Sequence, residues 1–211
     1  MKVLIVSDIH GNLPAIEAVL KHEKDWDKLI CLGDVVDYGP WSNECVDLLN
    51  SIDNCFTIMG NHEQYFIHKN YENYGSLSYE FYKFCLPVFN RTEEISQYND
   101  HVVLNDFILQ HTIGNQYIFA DTTIKLTDNY FVGHSHRQFS YKNNGYTLIN
   151  PGSVGQNREF INRIDYATWD TESNEIKLKN IIYDISMVTN EMRKRNYPSA
   201  CVAYYENKPK I

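Results

Sequence analysis

Residues 3–10 read Val-Leu-Ile-Val-Ser-Asp-Ile-His, four apolar residues followed by polar ones, and this stretch decides the fold. A run of four apolar, largely β-branched residues is typical of a buried strand, which here ends at Ser7 and Asp8. A helix is predicted next, because Asn12 is a favourable N-cap and apolar residues recur at helical spacing over 13–20. A strand that leads directly into a helix predicts the start of a β-α-β unit.

The same alternation continues to about residue 60. Strands are predicted at 29–32 and 56–59 with a helix at 43–52 between them, which indicates a parallel sheet with helical crossovers. Residues 62–98 predict mostly helix, with a capped helix start at Thr92. The apolar period then falls to two, which predicts a second, more antiparallel sheet. Its strands are expected at 102–104, 106–110, 117–119, 129–132 and 146–149.

The C-terminal part predicts a hairpin, a helix and a loose end. The hairpin strands are expected at 165–170 and 176–183, and Asp184 is expected to cap a last helix that ends at Arg195. The tail from Pro198 is predicted to be loose. Because no linker or repeat interrupts the pattern, we expect a single α/β (α+β) domain over residues 1–211.

Composition excludes several classes of protein. With 43% hydrophobic and 22% charged residues, the chain has the composition of a folded protein. No apolar run approaches the roughly 18 residues of a membrane span, and Met1–Val6 is too short for a signal peptide. Five scattered cysteines predict free thiols and a cytoplasmic location. The net charge of −8 makes stable nucleic-acid binding unfavourable. Small anionic substrates stay possible, because bound cations can reverse the charge locally. The sequence leaves the oligomeric state open.

Potential metal ligands and acid–base groups directly follow the predicted strands. They are Asp8, His10, Asp34, Asp37, Asn61, His62, Glu63, His111, His134 and His136. The carboxyl ends of parallel strands form one edge of a sheet, where α/β proteins place ligand sites. The rival to His111 is His101, which opens an apolar run instead of closing one.

The spacing of these residues suits metal binding. Asp8 and His10 are two residues apart, as are His134 and His136, and in an extended segment such pairs point to the same side. Carboxylate, imidazole and amide groups suit Mn²⁺ best, with iron, Zn²⁺ and Ni²⁺ as alternatives. The ligands are too many for one ion, so two divalent ions that share Asp34 are predicted.

Five blocks in this order resemble the signature of calcineurin-like metallophosphoesterases. The blocks are Asp8-Ile9-His10, Gly33-Asp34-Val35-Val36-Asp37, Gly60-Asn61-His62-Glu63, His111 and Gly133-His134-Ser135-His136. The resemblance covers about residues 3–155, and its last segment, 149–155, is similar to the end of the small prokaryotic branch. It implies a four-layer αββα sandwich of two mixed β-sheets flanked by helices.

The resemblance also implies roles for individual residues. The first ion would be held by Asp8, His10, Asp34 and His136, and the second by Asp34, Asn61, His111 and His134. His62 would bind the phosphoryl oxygen and assist the leaving group, with Asp37 orienting its ring. Glu63 would support the site, or else act only as a first-turn acid of a helix.

The implied activity is hydrolysis of phosphate mono- or diesters by a hydroxide that bridges the two ions. Asn12 and Arg158 are candidate substrate contacts, although Asn12 also suits a cap and Arg158 a surface position. The Tyr and Phe residues of 65–84 predict packing, or else a wall over the cleft on which a base could stack.

Three other functions stay open at this point. Protein serine/threonine phosphatases and dinucleoside tetraphosphate hydrolases of the family have Arg-Gly after the second aspartate of the second block, where this chain has Tyr38-Gly39. That substitution removes a bidentate phosphate contact and favours small phosphodiesters or nucleotides. A catalytically silent scaffold of the same fold is the non-enzyme alternative, disfavoured because every ligand and His62 are present.

Overall fold

The computed structural model describes residues 1–71 and 73–211. Within them the first sheet has the order β10-β9-β1-β2-β3. Its strands are β1 (Lys2–Val6), β2 (Lys28–Cys31), β3 (Cys55–Thr57), β9 (Arg163–Asp170) and β10 (Glu175–Ile182). β1, β2 and β3 are parallel, with Leu4 opposite Leu29 and Ile30 opposite Phe56. β9 runs antiparallel to β1 and forms the predicted hairpin with β10.

The second sheet has the order β4-β5-β6-β8-β7. Its strands are β4 (His101–Leu104), β5 (Phe107–Gln110), β6 (Asn129–Phe131), β7 (Gln138–Asn143) and β8 (Tyr146–Pro151). It is mixed, because the two central pairs are parallel and the two outer pairs antiparallel. Two mixed five-stranded sheets, with seven α-helices in the described part of the chain, are consistent with the αββα sandwich that the sequence predicted.

The two sheets pack face to face. In β1 the side chains alternate, so Val3 and Ile5 point toward the second sheet while Leu4 and Val6 point toward the helices. Trp169 fills the space between the sheets, with its ring 5.1 Å from that of Phe107. Burial of these apolar side chains is the main stabilising contribution of this layer.

The helices pack on the other face of the first sheet. They are α1 (Leu13–His22), α2 (Ser42–Asn50), α3 (Asn61–His68), α4 (Leu77–Cys85), α5 (Thr92–Ile95), α6 (Ser186–Lys194) and α7 (Ser199–Asn207). Asn12 caps α1 as predicted, because its side chain accepts a hydrogen bond from the Ala15 amide. In the described residues, the layer outside the second sheet is the irregular segment 112–128, in place of the helices predicted there, and its Ile118 and Leu126 are buried against Leu148. No helix in the described part of the chain has both the length and the apolar character needed to cross a bilayer.

Three predictions of local structure need correction, and one strand was missed. Residues 117–119 form no strand, because Ile118 packs into the small cluster under segment 112–128 without a pairing partner. Strand β7 was not predicted. Helices α3, α4 and α5 occupy much of the described part of the region predicted to be mostly helical, and α3 ends where Lys69 adopts a left-handed conformation. Helix α5 begins at Thr92, but no side chain among the described residues caps it, so the predicted cap is wrong. The tail beyond Pro198 is ordered, since α7 buries Tyr205 and its neighbours against the other helices.

Candidate metal centre

The predicted ligands meet where strands of both sheets end. Asp8 and His10 follow β1, Asp34 follows β2, and Asn61 is the first residue of α3, just after β3. The second sheet contributes the remaining ligands from its own strand ends. These are His111 after β5, and His134 and His136 after β6. The tips of the sandwiched sheets therefore supply every predicted ligand to one region.

The first cluster consists of Asp8, His10, Asp34 and His136. All four are buried, and one ligand atom from each lies within 4.8 Å of those of the others. The Nε2 atoms of His10 and His136 are 3.3 Å apart, and His136 Nε2 lies 3.4 Å from Asp8 Oδ1. The residues predicted to hold the first ion are therefore grouped as expected.

The second cluster consists of Asp34, His111 and His134, joined by the amide of Asn61. His111 Nε2 lies 3.3 Å from Asp34 Oδ2, 3.2 Å from His134 Nδ1 and 3.1 Å from Asn61 Oδ1. Asp34 belongs to both clusters, which is the arrangement that two ions sharing one carboxylate need. His101, the rival to His111, lies exposed on β4 and belongs to neither cluster.

Backbone carbonyl groups fix the proton positions on three of these histidines. The Nδ1 atoms of His10, His136 and His111 lie 3.1, 2.8 and 2.7 Å from the carbonyl oxygens of Val36, Gln156 and Leu32. A carbonyl only accepts, so each Nδ1 carries the hydrogen and each Nε2 of a neutral ring presents a lone pair to the cluster. Two lone pairs at 3.3 Å repel unless a cation lies between them, so the donor set fits divalent metal ions.

The pKa directions of His10, His134 and His136 agree with ligand histidines that are neutral. Burial lowers the pKa values of His10 and His136 well below the ordinary value, and lowers the pKa of His134 to about 4. His111 differs: burial opposes its charge, but the carboxylates of Asp34 and Asp8 raise its pKa to about 10. A proton on His111 Nε2 and a metal ion would therefore compete for the same position.

The ligand loops have an unusual backbone conformation. Asp8, His10, Asp34, His134 and His136 all have φ between 48° and 66°, the left-handed region that costs a side-chain-bearing residue about 1–2 kcal/mol. The side chains of each pair thus converge because the backbone turns, and the extended geometry assumed from their spacing was wrong. Such strain persists only where surrounding contacts hold it. At position 60 only glycine fits, since an added Cβ would lie 2.2 Å from Asp34 Oδ1.

Glu63 provides much of that support. Its buried carboxylate accepts hydrogen bonds from the amides of Asp34, Val35, Val36 and Gly60 at 2.7–3.2 Å. It thereby joins the loop after β2 to the start of α3, where it accepts the hydrogen bond from the amide of the N-cap residue Gly60. Of the two roles that the sequence left open, the contacts favour support of the ligand loop.

We expect Glu63→Gln to lower the free energy of unfolding by about 3 kcal/mol or more. The new NH₂ group would face two buried amide donors, and each amide left without an acceptor costs about 1–3 kcal/mol. Chemical denaturation of both proteins measures the difference. Glu93→Gln, at an exposed position in α5, is the matched control, and equal losses in both variants would contradict this role.

His62 lies beside the first cluster and pairs with Asp37. Its Nδ1 is 2.8 Å from Asp37 Oδ2, and both side chains are buried. Burial opposes the charge of His62, but Asp34 and Asp37 outweigh it and raise the pKa of the imidazole. Its ring lies 4.8 Å from that of His10, so the group stands next to the metal ligands without joining either cluster.

The two candidate substrate contacts differ in their surroundings. Asn12 is fully buried, and its amide nitrogen donates to the Gly155 carbonyl oxygen and the Tyr183 hydroxyl. Arg158 is exposed and lines a cavity of about 400 Å³ together with His62 and His136. Arg158 is thus placed to reach a substrate, whereas Asn12 is occupied with other parts of the chain, and substrate contact by either stays a prediction.

Sequence reasoning missed Tyr117. Tyr117 lies on the irregular segment 112–128, and its ring stacks on that of His134 with the ring centroids 4.0 Å apart. The residue was assigned to a strand of the second sheet, and nothing in the local pattern indicates a contact with a ligand histidine. Tyr65 and Tyr71, from the aromatic-rich region, also line the cavity.

Known proteins resemble this chain in sequence and structure. Residues 1–169 match the family described as Calcineurin-like phosphoesterase. The chain belongs to this family. An uncharacterised protein of Methanocaldococcus jannaschii is 31% identical over 93% of both chains. A metallophosphoesterase from Sphaerobacter thermophilus has a TM-score of 0.81 at 24% identity, over 98% of each chain. A hypothetical protein from Pyrococcus horikoshii has a TM-score of 0.78 at 18% identity, over 97% of each chain.

Family membership and the buried clusters together define the class of activity. The protein is a metal-dependent phosphoesterase, a hydrolase that acts on phosphate esters. Its two His/Asp clusters make up a site suited to two metal ions.

Proposed function

We propose that the protein hydrolyses small phosphate mono- or diesters, with phosphodiesters and nucleotides favoured, at a pair of divalent cations. The observation that carries this proposal is the position of Asp34, whose carboxylate belongs to both buried ligand clusters. Mn²⁺ is the favoured metal, with iron, Zn²⁺ and Ni²⁺ as alternatives, because the ligands are carboxylate, imidazole and amide groups without a thiolate. The five free cysteines support a cytoplasmic location.

The ligand residues divide between the two ions. Asp8, His10, Asp34 and His136 would hold the first, and Asp34, Asn61, His111 and His134 the second. When bound, the ions would polarise the phosphoryl group and lower the pKa of an attacking water. Neutral histidine rings, oriented by backbone carbonyls, keep the lone pairs aimed at the ion positions.

His62 would act on the departing group. Asp37 accepts from Nδ1, so Nε2 is the ring atom left to donate to a phosphoryl oxygen or to the leaving oxygen. The raised pKa of His62 keeps a proton available for that donation. Arg158, with no hydrogen bond or ion pair to the described residues, would contact an anionic group of the substrate.

Tyr38 favours small esters over phosphoprotein or dinucleoside tetraphosphate substrates. It stands where those branches have arginine, and its buried ring packs 4.8 Å from the rings of both His10 and Phe81. It therefore supplies no bidentate cationic contact for a phosphate at this position.

A screen of mono-, di- and cyclic phosphate esters, supplemented with single divalent metals, tests the proposal. We expect hydrolysis that depends on Mn²⁺ or one of the alternative metals and stops when a chelator is added. His62→Ala serves as the blank, and His22→Ala, with a side chain 58% exposed, is the control variant. Absence of hydrolysis for every ester with every metal would refute the proposed function.

A further inference from the structure

Two cavities flank the metal centre. One, of about 420 Å³, is lined by Gln64, Gln110 and Asn115, and we call it the amide cavity. The other, of about 400 Å³, contains Arg158, and we call it the arginine cavity. Asn61, Tyr65, Tyr117 and His134 line both. A phosphate at the metal ligands therefore has space on each of two sides, as a diester with two substituents requires.

The two cavities differ in charge. Among the described lining residues, the amide cavity has one charged side chain outside the metal ligands, the carboxylate of Asp100. The arginine cavity has the guanidinium of Arg158, and its only described carboxylate is the metal ligand Asp34. The amide cavity thus favours an uncharged polar group, and the arginine cavity favours a negative one.

Positive charge extends beyond the arginine cavity. Tyr204 lines that cavity, and Lys208 Nζ lies 4.5 Å from the centre of its ring. Burial and the neighbouring Arg158 and Arg137 lower the pKa of Lys208 to about 8. In a chain with a net charge of −8, Arg158, Arg137 and Lys208 give this end of the cleft a local positive charge.

The position of His62 indicates which of the two cavities holds the leaving group. His62 lines the arginine cavity and is absent from the lining of the amide cavity. A proton donor has to lie within hydrogen-bond reach of the departing oxygen. We call each substituent of the diester an arm. The arm that leaves is therefore the one in the arginine cavity, and the arm that keeps the phosphate lies in the amide cavity.

We propose that the substrate is a phosphodiester with an uncharged polar arm in the amide cavity and a leaving arm, bearing a further negative charge, in the arginine cavity. This rests on the proposed function and on the role given there to His62. Water oxygen bonds to phosphorus while the bond from phosphorus to the leaving oxygen breaks. His62 gives that oxygen a proton, and the proton lost by water returns to solvent, which reprotonates His62. The products are a phosphomonoester of the uncharged arm and an alcohol of the charged arm.

Two isomeric thymidine dinucleotides test the assignment, one with its terminal phosphate at the 5′ end and one at the 3′ end. In each, one arm is a neutral nucleoside and the other carries the terminal phosphate. Charge-directed binding predicts two thymidine monophosphates from either isomer: the 5′ form from the first and the 3′ form from the second. The reverse orientation would yield thymidine and thymidine 3′,5′-bisphosphate from both. Chromatography at initial rates with the Mn²⁺-loaded protein separates these products.

We expect the monophosphates to exceed the other products at least about tenfold for both isomers, since a charge-assisted contact to arginine gives about that discrimination. In Arg158→Met the ratio of the two product patterns should fall by a similar factor. Arg193→Met is the matched control, because Arg193 lies outside both cavities and pairs with Glu206, and it should keep the wild-type ratio.

Several results would overturn the assignment. Thymidine with the bisphosphate as main products would reverse the arms. Opposite patterns for the two isomers would show that sugar polarity directs binding, and early release of inorganic phosphate would place the terminal phosphate at the metal centre. An unchanged ratio in Arg158→Met would remove Arg158 from the argument. The proposed function fails separately, only if neither the dinucleotides nor simple esters such as p-nitrophenyl phosphate are hydrolysed.

Discussion

Asp34→Asn is expected to lower phosphoesterase activity by roughly 10³-fold or more, because several kcal/mol of transition-state stabilisation depend on the two cations. Asp34 contributes to both clusters, with Oδ2 3.3 Å from His111 Nε2 and 3.8 Å from His10 Nε2. Replacing this carboxylate with an amide removes the one negative charge shared by both sites. Metal content, measured by elemental analysis after dialysis, should fall for both positions.

The substitution is conservative for the fold. Asn tolerates the left-handed conformation that Asp34 adopts at φ 54°, and its oxygen can still accept the His62 amide hydrogen bond that Asp34 Oδ1 accepts at 2.9 Å. We therefore expect a folded protein whose melting temperature no longer rises when Mn²⁺ is added, in contrast to the wild type. Asp53→Asn, at an exposed position, is the control. A variant that keeps two bound ions and full turnover would refute the shared-ligand assignment.

The order of strands and ligands could be predicted because it depends on short-range patterns. Buried strands such as β1 and β2 are short apolar runs that end in polar residues, and parallel strands bring those ends to one edge. Asp8 and Asp34 thus come together from separate parts of the chain, as the sequence indicated. The hairpin of β9 and β10 was predicted for a similar reason, because its alternation and turn residues are local.

The shape of the ligand loops could not be predicted from the same patterns. A sequence gives no local sign that His10 or His136 has a positive φ, because that conformation is imposed by contacts with other loops. Glu63 shows this dependence, since its four amide partners include residues almost 30 positions away. The distances between ligand atoms therefore follow from tertiary contacts.

Tertiary packing also explains the misassigned C-terminal segment. The chain ends in Asn-Lys-Pro-Lys-Ile, a largely polar sequence, and the tail from Pro198 was therefore predicted to be loose. Helix α7 also has only a weak amphipathic pattern that could have indicated its packing. In the structure Tyr205 is fully buried, and the Phe81 ring on α4 lies 6.0 Å from it. The chain end is held as well, because Asn162 donates a hydrogen bond to the Ile211 carbonyl oxygen. Phe81 and Asn162, the partners of Tyr205 and Ile211, are both distant from them in sequence.

His62→Ala is expected to lower kcat by about 10²–10⁴, the usual contribution of a positioned proton donor, while both metal ions remain bound. The loss should depend on the leaving group. An ester of p-nitrophenol, whose anion leaves without protonation, should lose far less than an alkyl ester, whose alkoxide needs a proton.

Asp37→Asn tests the positioning role of the aspartate, whose Oδ2 lies 2.8 Å from His62 Nδ1. The amide oxygen can still accept from the ring, but one of the two carboxylate charges that raise the pKa of His62, those of Asp34 and Asp37, is removed. We expect Asp37→Asn to lower kcat less than His62→Ala does, by about tenfold. The p-nitrophenyl ester should again lose less of its kcat than the alkyl ester, and the metal content should change little. Both variants are measured with paired aryl and alkyl phosphodiesters, and His22→Ala is again the control. If the aryl and alkyl esters lost activity equally, His62 would act by binding the phosphoryl oxygen, and the leaving oxygen would have to take its proton from another group or from solvent.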